Sequence, residues 1–278
     1  MPSRVLAAVL LLVSTVLAGA RPAPAVAGAQ RIVSLAPSLT EDLGALGVLD
    51  RVVGVSAYSD FPPAARRIPV VASFSSVAAE RLLALHPDLV VGIAAQRAMV
   101  ADVQRAGVRV VLLPDDDYAS IFADLHALGA LVAEPARAAR VIAALRARTV
   151  SLVRSVPRRA HAPRVFMVLG VDPTFTVGSG SYIATLIAMA GGRNAADLHA
   201  AYAPYSDEAL VVAQPDALIV DGAVGFASVR GRAPWSDLRA VRDGHVYTLA
   251  DAALLERPGP RYNEGLAWLI ATLRAVPT

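Results

Sequence analysis

Three groups of residues in this 278-residue chain are of types that do chemistry: the serines of Gly178-Ser-Gly-Ser-Tyr182, five histidines, and two acids that recur in one pattern. A nucleophilic serine of the elbow type needs Gly-x-Ser-x-Gly and a base beside it. That pattern is absent, so Ser179 and Ser181 are expected to make a tight strand-to-helix turn. Metal chemistry needs imidazole or thiolate ligands at short, regular spacing. His86, His126, His161, His199 and His245 stand singly and the chain has no Cys, so no metal site is predicted. His86, directly before Pro87, is expected to meet the terminal carbonyls of a helix. No Gly-x-x-x-x-Gly-Lys-[Ser/Thr] phosphate loop occurs, which excludes a P-loop ATPase. No catalytic residue is assigned, and the chain reads as something other than an enzyme.

The acids are more informative. Glu80-Arg-Leu-Leu-Ala-Leu-His-Pro87-Asp88 and Glu208-Ala-Leu-Val-Val-Ala-Gln-Pro215-Asp216 lie 128 positions apart, and each runs into an apolar segment. The stretch from Glu to Pro suits about two helical turns, and the run after Pro-Asp suits a buried strand. Each half of the chain therefore holds a helix, a turn and a strand, with a carboxylate near the helix start, where the dipole favours it. Glu80 and Glu208 are either ordinary first-turn charges or a matched pair that docks onto a partner carrying matched basic residues.

The elements that position these groups follow from periodicity. Strand candidates at Arg31–Leu35, Val52–Val55, Leu89–Ile93 and Val108–Leu113 alternate with helical stretches, an α/β signature. Ser38-Leu-Thr-Glu41 fits a capping box that opens a helix ending near Gly44 to Gly47. From Pro135 to about Val156, apolar residues recur at helical spacing opposite a face of arginines, predicting one helix of about 20 residues and about 30 Å. A semi-rigid connector of that kind implies small lobe motions. The second half repeats the theme with strands at Arg164–Leu169, Ala217–Val220 and His245–Leu249, a helix over about Ser181–Ala190, and a last helix after Pro260 in which Trp268 serves packing.

Arg4 followed by an apolar run to Ala20 reads as a secretory signal peptide, because the run is short for a membrane span. Small-residue sites at Ala25-Val-Ala27 and Ala27-Gly-Ala29 place the mature start near Gly28 or Gln30, and no Cys stands there to accept a lipid. Residues 1–29 are thus assigned to the signal, 30–134 to an N-terminal lobe, 135–157 to the connecting helix and 158–278 to a C-terminal lobe. An exported chain without Cys must be stabilised by packing, and the periplasm is the expected compartment. Every basic residue is Arg, and the formal charge of +3 falls to about +1 once Arg4 and Arg21 leave with the signal. The arginines are scattered, unlike the stripe of a nucleic-acid surface, so no nucleic acid is expected.

Gly54-Val-Ser-Ala-Tyr58-Ser-Asp60-Phe-Pro62-Pro63, the Pro-Asp strand entries, Pro173-Thr-Phe175-Thr-Val-Gly-Ser-Gly, Gly191-Gly-Arg-Asn194 and Glu256-Arg257-Pro-Gly-Pro-Arg261 together resemble the helical-backbone class of periplasmic solute-binding proteins, and within it the cobalamin branch. The likeness spans essentially the whole mature chain. It implies two Rossmann-like lobes joined by one long backbone helix, with a shallow ligand cleft between them, and a monomer that hands a corrinoid to the permease subunits of an ABC importer. It implies no cofactor beyond the transported cobalamin. By the same resemblance, Tyr58 packs against the corrin or its lower base, Phe74 and Tyr202 stand where relatives carry Trp, and Phe175 matches directly. Asp251 and Arg257 would be polar ligand contacts, with an ordinary Glu256–Arg257 surface pair as the alternative. Glu80 and Glu208 match the family's two docking carboxylates.

Two ligand classes compete within this reading. Haem would need a Tyr or His ligand from the first lobe; Phe74 cannot coordinate iron, which leaves Tyr58 or Tyr202. A ferric siderophore would need cleft cations, for which Arg97, Arg193 and Arg257 are the candidates.

Overall fold

The computed structural model describes residues 28–114 and 117–277. The signal-peptide assignment therefore lies outside the described residues except for Gly28 and Ala29. The first lobe runs β1 (Ile32–Ser34), α1 (Pro37–Ala45), β2 (Val52–Ser56), β3 (Val70–Ala72), α2 (Ala79–Leu83), β4 (Leu89–Ile93), α3 (Ala101–Arg105) and β5 (Val110–Leu113), followed by α4 (Ser120–Leu131). Its five strands form one parallel sheet in the order β3-β2-β1-β4-β5. Short runs of Val, Ile and Leu fit here because both faces of a parallel sheet are covered by helices.

The predicted connector is α5 (Pro135–Arg154), 20 residues long, with Pro135 in its first turn, where a missing N–H costs nothing. Beyond it come β6 (Arg164–Val168), β7 (Gly170–Val171), β8 (Thr174–Val177), α6 (Tyr182–Met189), β9 (Arg193–Asn194), β10 (Tyr202–Pro204), α7 (Asp207–Ala213), β11 (Ala217–Asp221), α8 (Arg239–Arg242), β12 (Val246–Leu249), α9 (Ala253–Glu256) and α10 (Tyr262–Arg274). A second parallel sheet, β12-β11-β6-β9, forms the heart of this lobe, with an antiparallel sheet β10-β8-β7 beside it. Leu266, Leu269, Ile270 and Leu273 of α10 are buried as their spacing predicts, and Trp268 packs against the same core.

The lobes are coupled by packing. Ile142 and Leu145 of α5 touch the cores of both lobes, and α4 contributes Ile121 and Phe122 to one core and Leu125 and Leu128 to the other. Tyr118, Phe122 and Tyr262 meet edge to face at 5.3 to 6.1 Å. The hydroxyl of buried Thr149 of α5 lies 3.0 Å from both the Leu145 carbonyl and Asn263 Oδ1 and shares its one proton between them, while Asn263 Nδ2 donates to the Leu145 carbonyl at 2.9 Å. This knot locks α10 to the connector.

The Pro-Asp repeat proves to be a stitch at the entry edge of each sheet. The Asp88 carboxylate accepts from the backbone N–H of Gln30 at 2.8 Å and of Arg31 at 3.1 Å, and Asp88 N–H donates back to the Arg31 carbonyl at 3.0 Å. Asp216 does the same for Arg164, with bonds of 2.8 Å in both directions, and also pairs with Arg239. His86 and Gln214, the residues before the two prolines, both turn left-handed, with φ of +46° and +38°. Arg31, and not the predicted His86, serves the carbonyls at the end of α2, donating to Leu85 and His86 oxygens. The arginine wins because its guanidinium reaches two carbonyls at once.

The capping-box expectation is also corrected. The residue at the start of α1 is Ala36, with no side-chain cap, and Pro37 opens the helix. Buried Glu41 faces the partly buried Arg257 and Arg261 instead, a charged partnership stronger than a single bond to a backbone N–H.

Candidate functional site

The segments that leave the carboxyl ends of strands in the two sheets line one open cleft of about 720 Å³. The first lobe contributes Leu35–Ser38 after β1, Ser56–Tyr58 at the end of β2, Phe74 after β3, and Ile93 with Gln96 after β4. The second contributes Asp221–Ala223, Ala250–Ala253 and Glu256–Pro258. Ligands of parallel α/β sheets bind at this edge because the strand ends diverge there and leave a crevice. Buried Gln96 secures the floor: its amide donates to the Leu35 carbonyl at 2.8 Å and accepts from Ile93 N–H at 3.0 Å.

Two aromatic rings stand uncovered at this cleft. Tyr58 is 79% exposed and Phe74 85% exposed. Tyr58 adopts φ +65°, a conformation that bulky residues rarely take without restraint from their surroundings. The restraint is visible on both sides: Ala57 N–H donates to the Ala72 carbonyl at 2.8 Å, and buried Ser59 bonds Ser56 and Thr40 hydroxyls at 3.0 and 3.1 Å. Phe74 rides a turn closed by a Ser73–Ser76 hydroxyl pair at 2.7 Å. Both rings are thus held in solvent by their backbones.

Asp251 and Arg257 also line the cleft, but their charged ends are engaged. Arg257 Nη1 donates to Glu41 Oε1 at 3.1 Å and to Asp60 Oδ1 at 2.8 Å, joining the second lobe to the first. Arg261 donates to both Glu41 oxygens at 3.0 and 2.9 Å and to Asp251 at 2.9 Å, and its guanidinium lies 4.1 Å from the Phe61 ring centre. The Glu41 side chain is only 1% exposed. The acids around Arg261 outweigh its partial desolvation and push its pKa up. At Asp60, partial burial works to raise the pKa, yet Arg257, the backbone and Arg66 together hold it below the ordinary value.

Glu256 does not make the alternative surface pair with Arg257. The residue is exposed to the cleft, yet the surrounding walls desolvate its carboxyl, and a hydrogen bond and like charge from Asp221 add to that, pushing its pKa up to about 7 despite nearby Arg257. Asp221 is fixed by accepting from Ala223 N–H at 2.9 Å. The sequence alone does not single out Asp221, and it offers Glu256 as a surface partner of Arg257 and Glu41 as a helix cap; the four-residue spacing of Arg257 and Arg261 is the one visible signal of the cluster.

Phe175 and Tyr202 do not line this cleft. They stand on the antiparallel sheet, where Phe175 pairs with Gly170 and Pro204, and Tyr202 pairs with Val177. Glu80 and Glu208 are exposed in the first turns of α2 and α7, as expected, although α2 spans little more than one turn. Ser181 is buried and caps α6, accepting from Ala184 N–H at 3.1 Å and donating to the Gly178 carbonyl at 2.8 Å, so its hydroxyl is spent on the turn. A smaller cavity of about 370 Å³ beside His161, His245, Asp216 and Arg239 lies at the Asp216 stitch. Among the described residues no group of three or more His, Asp or Glu is placed to hold a metal ion, and no helix is long and apolar enough to cross a membrane.

Residues 32–253 match the family described as periplasmic binding protein. The vitamin B12-binding protein of Yersinia pseudotuberculosis is 32% identical over 220 residues, covering 78% of this chain and 76% of the relative. Among solved structures, the periplasmic haem-binding protein of Roseiflexus sp. RS-1 in apo form superposes with a TM-score of 0.81 at 28% identity, covering 88% of this chain and 98% of that one. The periplasmic vitamin B12-binding protein of Vibrio cholerae superposes at 0.77 and 28% identity, covering 89% and 98%.

Proposed function

This chain belongs to the periplasmic binding protein family, as the solute-binding component of an ABC importer, and from that premise we propose that it captures cobalamin or a related corrinoid outside the cytoplasm. The observation that carries this reading is the pair of uncovered rings, Tyr58 and Phe74, in a cleft half of whose second-lobe lining is Gly222, Ala223, Ala250, Ala252 and Ala253. Two rigid aromatics opposite small residues suit a broad, partly apolar ring, since such side chains bury large areas at little entropic cost. Lobes already coupled through α4, α5 and α10 keep that cleft open and preformed. No chemistry on the ligand is invoked.

In this reading residues 1–29 direct export to the periplasm and are removed, and the mature monomer carries its ligand to the permease subunits. Phe175 and Tyr202 would join the ligand only at the cleft's margin. Haem is the second reading, favoured by the haem-binding relative and by the exposed Tyr58 phenol, a group able to ligate iron. A ferric siderophore is less well served, because Arg257 is held by Glu41 and Asp60. Fluorescence titration of the purified mature protein with cyanocobalamin, haemin and a ferric siderophore decides among them. Saturable quenching by cyanocobalamin at micromolar concentration or below is expected; saturation by haemin alone would transfer the site to haem.

Docking is assigned to Glu80 and Glu208, the exposed acids in matching helices of the two lobes. Exposed ion pairs add little affinity singly, but a matched pair fixes orientation and speeds encounter. The double variant Glu80→Arg, Glu208→Arg should keep ligand affinity within about threefold while slowing association with the importer in liposomes by about tenfold or more. Collapse of ligand affinity in this variant would return both residues to the pocket or the fold.

A further inference from the structure

Resting on the reading of the cleft as a ligand site, the charges of its walls identify what kind of ring it rejects. Among the described residues the cleft lining contains one cation, Arg257, and that guanidinium is already bonded to Glu41 and Asp60. Asp251 is bonded to Arg261. Asp221 and Glu256, at the end of β11 and the end of α9, line the same cleft close enough for the charge of one to raise the pKa of the other, and among the described residues no cation is bonded to either. Neither is adrift: Asp221 is anchored by Ala223 N–H, and Glu256 closes a helix whose next residue is clamped across the lobes.

We propose that the Asp221–Glu256 pair screens ligands by charge, admitting rings rimmed with neutral amides and turning away rings that carry carboxylates. An incoming carboxylate would meet two like charges and find the only lining cation taken, whereas an amide can donate to one carboxyl oxygen and keep its hydration cost repaid. Juxtaposed like charges are the usual means by which an interface discriminates against a wrong partner. The screen weakens in acid. A carboxyl whose value stands near 7 takes up a proton as pH falls from 8 to 6, which removes one negative charge and supplies a donor. The other charged or titratable groups around the pair are Asp251, Arg257 and the Tyr58 phenol of the facing wall, and the first two are held in ion pairs.

The test compares two pairs of probes matched in shape and differing in charge: cyanocobalamin with its derivative bearing one propionamide hydrolysed to carboxylate, and haemin dimethyl ester with haemin. For the wild type at pH 8, the neutral member should bind on the order of tenfold more tightly. That ratio should shrink toward unity at pH 6, where a simple alkyl carboxylate remains ionised. In the double variant Asp221→Asn, Glu256→Gln, with folding confirmed by its melting curve, the ratio should fall below about threefold and lose its pH dependence. A wild-type ratio near one, or a ratio unchanged in the double variant, overturns the proposal. Which ring binds reads the functional assignment separately, since the ratio can be measured on either ring; binding of neither contradicts both.

Discussion

Arg261→Ala should lower the stability of the protein by about 2–3 kcal/mol, the cost of taking two charge-assisted hydrogen bonds from a buried carboxylate that keeps a third. The expected drop in melting temperature is roughly 5–10 °C for a chain of this size. Glu41 is the group that loses them. Its side chain is 1% exposed, and three of its contacts come from Arg257 and Arg261 at 2.9 to 3.1 Å. Without Arg261 it keeps one bond from Arg257 and loses two, and Asp251 and the Phe61 ring lose their cation as well. The loss should be specific to charge geometry: Arg261→Lys should recover only part, because an ammonium cannot fork across both Glu41 oxygens. A shift below about 2 °C for Arg261→Ala would mean that the Arg261–Glu41 bonds add nothing net to the coupling of the lobes. The acid limb has a defined sign. Asp60 has a lowered value in the fold, so its contribution is complete above its ordinary 3.8 and fades as pH falls through the lower folded value.

Tyr58→Ala combined with Phe74→Ala should weaken binding of the preferred ring about a hundredfold, with no loss of melting temperature. Aromatic anchors at a desolvated contact commonly contribute about 2 kcal/mol or more each when truncated, and the two effects need not add. Stability should be untouched because both rings already stand in solvent, at 79% and 85% exposure, so their removal opens no cavity. Alanine keeps the Cβ that makes φ +65° unfavourable, so the backbone cost at position 58 is unchanged by the substitution. Equilibrium titration with thermal melting of the same samples checks both halves. A decrease of less than about fivefold would remove the rings from the contact.

The sequence made the framework readable wherever a period was long or a breaker was strong. The α5 helix began at Pro135 as expected and ran 20 residues, and β4, β6, β11 and β12 fell on their Val, Ile and Leu runs. The three-residue β3 and the two-residue β7 and β9 were invisible, because strands that short carry no period and are set by their neighbours. The duplicated Pro-Asp motif was seen, but its carboxylates turned out to be stitches to Gln30, Arg31 and Arg164. At the site, the Tyr58 and Phe74 segments were legible from local pattern. The Glu41–Arg261 and Asp221–Glu256 pairings were not, since they join residues 220 and 35 positions apart and only tertiary packing brings them together. Glu41 was misread for a physical reason: a Ser-x-x-Glu pattern looks the same whether the Glu caps its helix or turns to an arginine elsewhere.

One cleft between the lobes, walled by Tyr58 and Phe74 and faced by Asp221, Asp251 and Glu256, is the proposed seat of the transported ring. A crystal structure of the mature protein grown with cyanocobalamin tests it most directly. The corrin should be seated in that cleft against both aromatic rings, with its amides toward the acids of the second lobe and the Arg257–Glu41–Arg261 cluster intact. A corrin bound at the antiparallel sheet carrying Phe175 and Tyr202, with the cleft left to solvent, would contradict it.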